Sequence, residues 1–271
     1  MKNSKVIDGV QQYDLDSWQD FFSLTQQLFT KEPAYIYRGQ ANYNWPLVSS
    51  IDRLEKKYPH RKYLSASAKP QYFQSPPLEE EEHLNAFRRA ILGRRGSNPA
   101  PLDDDACWVL GQHHGLATPL LDWTRSPFIA LFFAFEEECV RDDENKYIEP
   151  KFREVFGLST SVLCETEGKV KVVSPLCDDN YRLTSQDSIL VKIPRQIDLE
   201  AFVRKQWHSD THRPILRKFC IPNTNNDRHD CLAALNKMGI NHMRLFPDIS
   251  GAARYVNSLW EPGHEDLIAW E

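Results

Sequence analysis

Long apolar runs are scarce in this chain of 271 residues. The longest, from Phe128 to Phe135, stops at Glu136-Glu137-Glu138, short of the roughly 18–20 residues that a bilayer-crossing helix needs. No apolar segment follows the lysines of Met1-Lys2-Asn3-Ser4-Lys5, so no secretory signal and no membrane partner are expected. The cysteines, at positions 107, 139, 164, 177, 220 and 231, include no Cys-x-x-Cys pair. That spacing argues against a zinc ribbon or a disulfide framework and for reduced thiols in the cytoplasm. A basic surplus is also missing. The net charge of −5 speaks against a general nucleic-acid coat protein, leaving only the cluster Arg88, Arg89, Arg94 and Arg95 as a local basic groove. There is no internal repeat, no low-complexity tract and no evident linker, so one large domain is expected.

What is present is enough apolar sequence for a substantial core, 41% of the chain, patterned for both helix and strand. Trp18, Phe21, Phe22, Leu24 and Leu28 recur at spacings near three and four, predicting a helix over Ser17–Phe29. Ala34–Tyr37 reads as a buried strand that ends at Arg38-Gly39-Gln40 and hands the arginine and glycine to a turn. Pro59 to Pro77 reads as an irregular, mobile excursion. Leu78–Leu92 is predicted helical, with Glu79 to Glu82 in the first turn and arginines at the end, matching the helix dipole. The acid run is thus a helix start rather than a metal site. Asp103-Asp104-Asp105 caps a helix from Ala106 to His114 by the same economy. A strand Leu120–Trp123 leads to Ser126-Pro127, which opens a helix running to about Val140. Strands are expected at Val155–Leu158, Val170–Val173, Ile189–Ile193, Leu216–Ile221 and His242–Phe246, and helices at Asp227–Met238 and Ile249–Leu259. The pattern predicts a single α+β domain, a mixed, mostly antiparallel sheet flanked by helices.

The stretch Gln112 to Pro127 is the densest in chemistry. It sets His113, His114, Thr118, Asp122, Trp123, Thr124 and Arg125 in an apolar surrounding. Each polar group buried there without a partner would cost roughly 1–3 kcal/mol, so partners or a ligand must meet them. Arg38 at a strand end is a suitable anion seat, its forked donors matching phosphate or carboxylate, and Gly39 would let a ligand approach the backbone. Three readings stay open on the residues alone. One is a nucleotide-binding transferase. A second is a metal-independent nuclease or phosphodiesterase, with His113, His114 and Asp122 as base, acid and orienting carboxylate and Arg38 on the phosphate. The third is a non-catalytic sensor of a nucleotide or a partner protein. Structural roles stand beside these: Asp122 can pair with Arg125 or cap the helix at Pro127, Trp123 can belong to the core, and His113 can be a satisfied structural histidine.

Several of these residues fall into a known pattern. Tyr37-Arg38-Gly39-Gln40, followed by Trp45, Leu47 and Ser50, is an aromatic-Arg-Gly motif. Gln112-His113-His114-Gly115 then runs into Leu120-Leu121-Asp122-Trp123-Thr124, Pro127 and Ala130 to Ala134. Asn180-x-Arg182-x-x-x-Gln186 and Phe246-Pro247-Asp248 complete the set. In these motifs, and in their order over about residues 17–257, the chain resembles the FRG-domain family; residues 1–16 would be an N-terminal extension and 258–271 a tail. It departs from the family at Ala117-Thr118-Pro119, where Pro-Thr-Arg is usual, and at His114, where an aromatic is usual.

The resemblance implies a defence or toxin-type effector of prokaryotes or phages. The order Arg38-Gly39, then Asp122-Trp123-Thr124, then Gln186 is also similar to the three strands with which ADP-ribosyltransferases hold NAD. It implies an ADP-ribosyltransferase-like fold, NAD or a related nucleotide as substrate, a protein or nucleic-acid acceptor, and no metal. The implied catalytic residues are Arg38, Asp122, Gln186 and His113. The implied ligand-binding residues are Gly39, Gln40, Thr118, Trp123, Thr124 and Arg182. Loss of nicotinamide leaves an oxocarbenium-like centre that calls for a carboxylate. Gln186 cannot supply one, so the role falls to Asp122 or Asp187.

Overall fold

A computed structural model describes residues 2–3, 5–29, 35–58, 79–141, 146–173, 184–224 and 226–262. The elements begin with β1 (Lys2–Asn3), β2 (Val10–Asp14), α1 (Trp18–Phe29), β3 (Tyr35–Gln40), α2 (Ser50–Lys57), α3 (Glu80–Ala90) and α4 (Asp104–His113). They continue with β4 (Leu120–Thr124), α5 (Pro127–Phe135), β5 (Val140–Arg141), β6 (Tyr147–Ile148), β7 (Phe152–Ser159), α6 (Val162–Glu165), β8 (Lys171–Val173) and β9 (Ser188–Lys192). The last are α7 (Leu199–Gln206), β10 (Leu216–Pro222), α8 (Asp227–Lys237), α9 (His242–Leu245) and α10 (Ile249–Ser258).

Eight strands form one sheet in the order β1-β2-β10-β7-β3-β4-β9-β8. Every neighbouring pair is antiparallel except β2 with β10. This is the α+β fold with a mixed, mostly antiparallel sheet that the sequence pattern predicts. Residues 10–14, placed by the sequence in an N-terminal extension, are strand β2 of this sheet, and Tyr13 stacks on Phe219 with ring centroids 5.1 Å apart. No helix among the described residues is long and apolar enough to cross a membrane.

Strand β7 is the axis of the sheet. It is buried from Arg153 to Ser159 and paired along its length with β10 on one side and β3 on the other. Three apolar clusters surround it. One joins α1, α5 and α8 to Tyr37, Val155 and Phe219. A second, behind the sheet, gathers Ile36, Leu121, Trp123, Phe156 and Val191 under Leu199 and Val203 of α7. The third packs Ile51, Leu84 and Trp108 of α2, α3 and α4 on Leu120 and Leu190. The alternation along β4 follows the strand period of two: Leu121 and Trp123 point to one cluster, Leu120 to another.

Local chemistry sets the helix ends. Asp103 accepts from the Ala106 amide (2.7 Å) and caps α4; Ser126 accepts from Ile129 (3.3 Å) and caps α5. The acid runs are used as ion pairs at helix starts, Asp104 with Arg88 (2.5 Å), Asp105 with Lys171 (2.9 Å) and Glu80 with Lys192 (2.5 Å). Arg94 and Arg95 donate to the carbonyls of Ala90 and Ala100, so the arginine cluster serves its own helix end and loop. The thiols of Cys107, Cys139, Cys220 and Cys231 are free.

Four expectations change. The strand at Tyr35 does not stop before Arg38, because the long ladder with β7 carries it on through Gln40. The helix from Pro127 ends at Phe135, not near Val140. Three successive glutamates at its C-terminus oppose the dipole, and buried Arg153 takes the carbonyls of Ala134, Glu137 and Glu138 (3.3, 2.6 and 3.2 Å). The stretch from His242 is helix α9 rather than a strand, started by Asn241, whose side chain accepts from the Arg244 amide at 3.1 Å. Helices α2 and α7 were not anticipated. The irregular excursion expected over Pro59 to Pro77 lies outside the described residues.

Helix α5 lies directly on β3. A Cβ at Gly39 would stand 1.9 Å from the Ala130 carbonyl oxygen and 2.7 Å from the Ala134 nitrogen, and both alanines are fully buried. On the side where a Cβ would project, the close approach at Gly39 is therefore made by a helix. Gly39→Ala is expected to destabilise the protein by about 2–3 kcal/mol or more, since neither backbone can yield cheaply. Urea unfolding would read this as a lower midpoint at an unchanged slope; an unchanged midpoint would refute the packing argument.

Candidate functional site

Strands β3 and β4 share a single ladder pair, Tyr37 with Thr124. Beyond it the strands part, and the carbonyl of Asp122 accepts instead from Arg38 Nη1 at 2.8 Å. A cleft of about 1490 Å³ opens along this seam. Arg38, Gly39, Gln40, His113, Asp122, Trp123, Thr124 and Gln186 all line it. Thr118 does not, and Arg182 lies outside the described residues.

Asp122 is the exposed residue of an otherwise buried strand. Its Oδ1 accepts from Gln112 Nε2 at 2.5 Å. Gln112 is in turn fixed by fully buried Thr118, whose hydroxyl donates to its Oε1. Thr118 itself is anchored by Ser50, which exchanges hydrogen bonds with its amide (2.8 Å) and carbonyl (3.2 Å). The line from Ser50 through Thr118 and Gln112 thus sets the carboxylate in place. The two structural alternatives for Asp122 fall away: Arg125 pairs with Asp187 at 2.7 Å, and Ser126 caps the next helix.

Arg38 is half-buried, with its Nε out of contact with solvent, and burial pushes its pKa below the usual arginine range; Asp122 opposes this and Arg53 adds to it. Its Nε has no hydrogen-bond partner among the described residues. The same holds for Gln40 Oε1 and Trp123 Nε1, although both residues are buried. Three orphaned polar atoms on residues of one cleft are unusual, since buried polar groups are nearly always paired. His113 lines the cleft, while its neighbour His114 is exposed and does not, the two rings meeting edge-on at 4.9 Å. An acid–base pair of adjacent histidines is not assembled there.

Gln186 reaches the cleft at the start of β9, but its amide donates to the Leu245 carbonyl (3.0 Å), and its own carbonyl accepts from Thr124 Oγ1 (2.7 Å). It ties the sheet to α9. Sequence reasoning missed Arg53, on α2 at the cleft rim, whose Nη1 donates to the Val48 carbonyl at 2.7 Å. Its pKa is lowered by burial, against the attraction of Asp122 and Asp52. The signal was present: Ser49 and Asp52 have capping-box spacing, with the Ser49 hydroxyl accepting from the Asp52 amide (3.3 Å) and donating to its carboxylate (2.7 Å).

The FRG-domain family model matches residues 33–143, from just ahead of β3 to just past β5. That stretch is an FRG domain. No curated protein and no solved structure matches it. The FRG match contains Arg38, Arg53, Gln112 and Asp122, which line the cleft, and Thr118, which holds Gln112 from behind, while Gln186 and Phe246 line it from beyond the match.

Next to Gln40 in the β3/β7 ladder stands Glu154, buried and with its Oε2 unpartnered. Lys218 lies 3.6 Å from Glu154 but 2.7 Å from Glu200, so its charge is largely spent elsewhere. Burial therefore raises the Glu154 pKa to about 8, against the pull of Lys218 and with Glu200 adding to it. Between the ordinary value of 4.5 and about 8 the folded state binds more protons at this group than the unfolded state, so its contribution to stability falls as pH rises. Glu154→Gln should remove that slope and raise stability near pH 8.5 by about 2–4 kcal/mol. Urea midpoints from pH 5 to 9 would show it; parallel curves for both proteins would mean that Glu154 is ionised throughout.

Proposed function

We propose that the cleft binds NAD⁺ or a closely related nucleotide and that the domain transfers or cleaves its ADP-ribose. The observation that carries this reading is the juxtaposition at the opened seam: a half-buried guanidinium with an unmet Nε beside an exposed, preorganised carboxylate. The cleft volume of about 1490 Å³ is ample for a dinucleotide, since pockets for drug-sized ligands span about 300–1,000 Å³. Arg38 would hold phosphate through its forked donors. Asp122 would stabilise the positive charge that develops at the ribose C1′ as the bond to nicotinamide breaks and its electron pair leaves with the ring. Water or an acceptor group then closes the centre. The line Ser50–Thr118–Gln112 keeps the carboxylate still, so little reorganisation is needed at that moment. Consumption of NAD⁺ would suit the defence or toxin role that the family resemblance implies.

A second reading, a sensor that binds the nucleotide without turning it over, is favoured by Gln186. It occupies the third-strand position where such enzymes use a carboxylate, and its amide is spent on Leu245.

Incubation with NAD⁺, followed by chromatography for free nicotinamide and calorimetry for binding, separates the two. Asp122→Asn is expected to lower turnover by about 100- to 1,000-fold with binding changed only a few-fold. Arg38→Lys, which keeps charge but loses the fork, should weaken binding. Binding by the wild type with no nicotinamide release would establish the sensor reading, and no binding at all would overturn both.

A further inference from the structure

We propose that Arg38 and Arg53 together form a two-guanidinium seat for a diphosphate, the bridge of a dinucleotide or the tail of a nucleoside diphosphate. This deepens the nucleotide reading above and rests on it. The argument begins with charge. The acidic side chains nearest Arg53 on its own helix are already committed: Arg195 binds Asp52 through Nε at 2.5 Å and Glu55 through Nη2 at 2.8 Å. The carboxylate of Asp122 accepts from Gln112. Its charge acts on both arginines, with Asp52 acting on Arg53 as well, so two guanidiniums share it. Among the described residues both donate to backbone carbonyls, Arg38 to that of Asp122 and Arg53 to that of Val48.

A guanidinium carries five donors. Each arginine spends one on a carbonyl, and Arg38 Nε is buried without any partner among the described residues. A cleft that carries an exposed guanidinium and a half-buried one with an unmet donor is matched by an anion of charge two or more. A single carboxylate ligand would leave one guanidinium uncompensated, whereas a diphosphate presents acceptors to both. Lys56 and Lys57, exposed on the same rim, extend the positive field outward. Burial lowers the pKa of both arginines, and the charge of Arg53 lowers that of Arg38 further; a bound polyanion would reverse both effects.

The test uses the full chain and inorganic pyrophosphate, with orthophosphate and sulfate at equal ionic strength as comparisons. Calorimetry and thermal melting are expected to show pyrophosphate binding more tightly than either. Arg53→Gln should weaken pyrophosphate and NAD⁺ alike by at least tenfold, and Arg53→Lys by less. Nicotinamide riboside, which lacks the diphosphate, should bind both variants as it binds the wild type. The melting temperature without ligand checks folding, and the lysine variant, which keeps the charge and most of the stem, covers any loss of fold in the glutamine variant. Equal pyrophosphate affinity in wild type and Arg53→Gln, or pyrophosphate bound no better than sulfate, overturns the seat. Pyrophosphate binding that depends on Arg53 without any NAD⁺ binding leaves the seat standing and removes NAD⁺ as its ligand. NAD⁺ turnover unchanged in Arg53→Gln does the reverse.

Discussion

One charge-assisted hydrogen bond, from Arg38 Nη1 to the carbonyl of Asp122, crosses the place where β3 and β4 keep only a single ladder pair. A strand that parts from its neighbour strands its backbone carbonyls, and an unmet buried carbonyl is costly. Arg38 meets that need with a side chain long enough to cross the gap. The seam can therefore stay open without collapsing into an ordinary ladder. The cleft, the exposed carboxylate on an otherwise buried strand and the position of the guanidinium all follow from that substitution of side chain for backbone.

The interior carries other charges handled in the same spirit. Arg153 is fully buried and is neutralised by helix α5 itself, through three carbonyls at its C-terminal end, while Arg228 adds a fourth at Glu136. The residual partial charge of a helix end makes this workable where a lone cation in a core would be costly. Arg217 lies over the Tyr35 ring at 4.4 Å. Strands β7 and β10 are thus rich in buried polar groups; Arg153 and Arg217 are met by a helix end and a ring, while Glu154 keeps an oxygen unpartnered among the described residues. Arg38 differs, because part of its donor set faces a cleft rather than a partner.

Much of this was legible in the sequence. The caps at Asp103 and Ser126, the dipole-matched α3 and the apolar runs of β7 and β10 all announce themselves through local chemistry. Of the motif residues, Arg38, Gly39, Gln40, His113, Asp122, Trp123, Thr124 and Gln186 line one cleft, while Thr118 stands behind it. What was not legible depended on distant partners. Arg38 looked like a strand end because nothing local reveals that β7 pairs with β3 through Gln40. Gly39 looked like a ligand contact because the helix that crosses it arrives 90 residues later. The end of α5 was set by Arg153, beyond the helix, and Asn241 turned a β-prone stretch into a helical turn. Arg53 was hidden because α2 is short and mostly polar, with only Ile51 fully buried.

The near-absent ladder between β3 and β4 also has a mechanical side. On one flank, β3 is tied to β7 by a six-residue register and pressed against α5 at Gly39. On the other, β4 is tied to β9 by a five-residue register and to α2, α3 and α4 through the cluster at Leu120. The chain crosses between these two blocks between β3 and α2, at Arg125-Ser126 between β4 and α5, between β7 and β8, and between β9 and β10. In its backbone bonding the sheet is thus two plates joined along a crease, which one ladder pair and the shared cluster of Ile36, Leu121, Trp123, Phe156 and Val191 bridge. Arg38 stands on one plate and Arg53 on the other, so a bridging anion would act as a latch across the fold line.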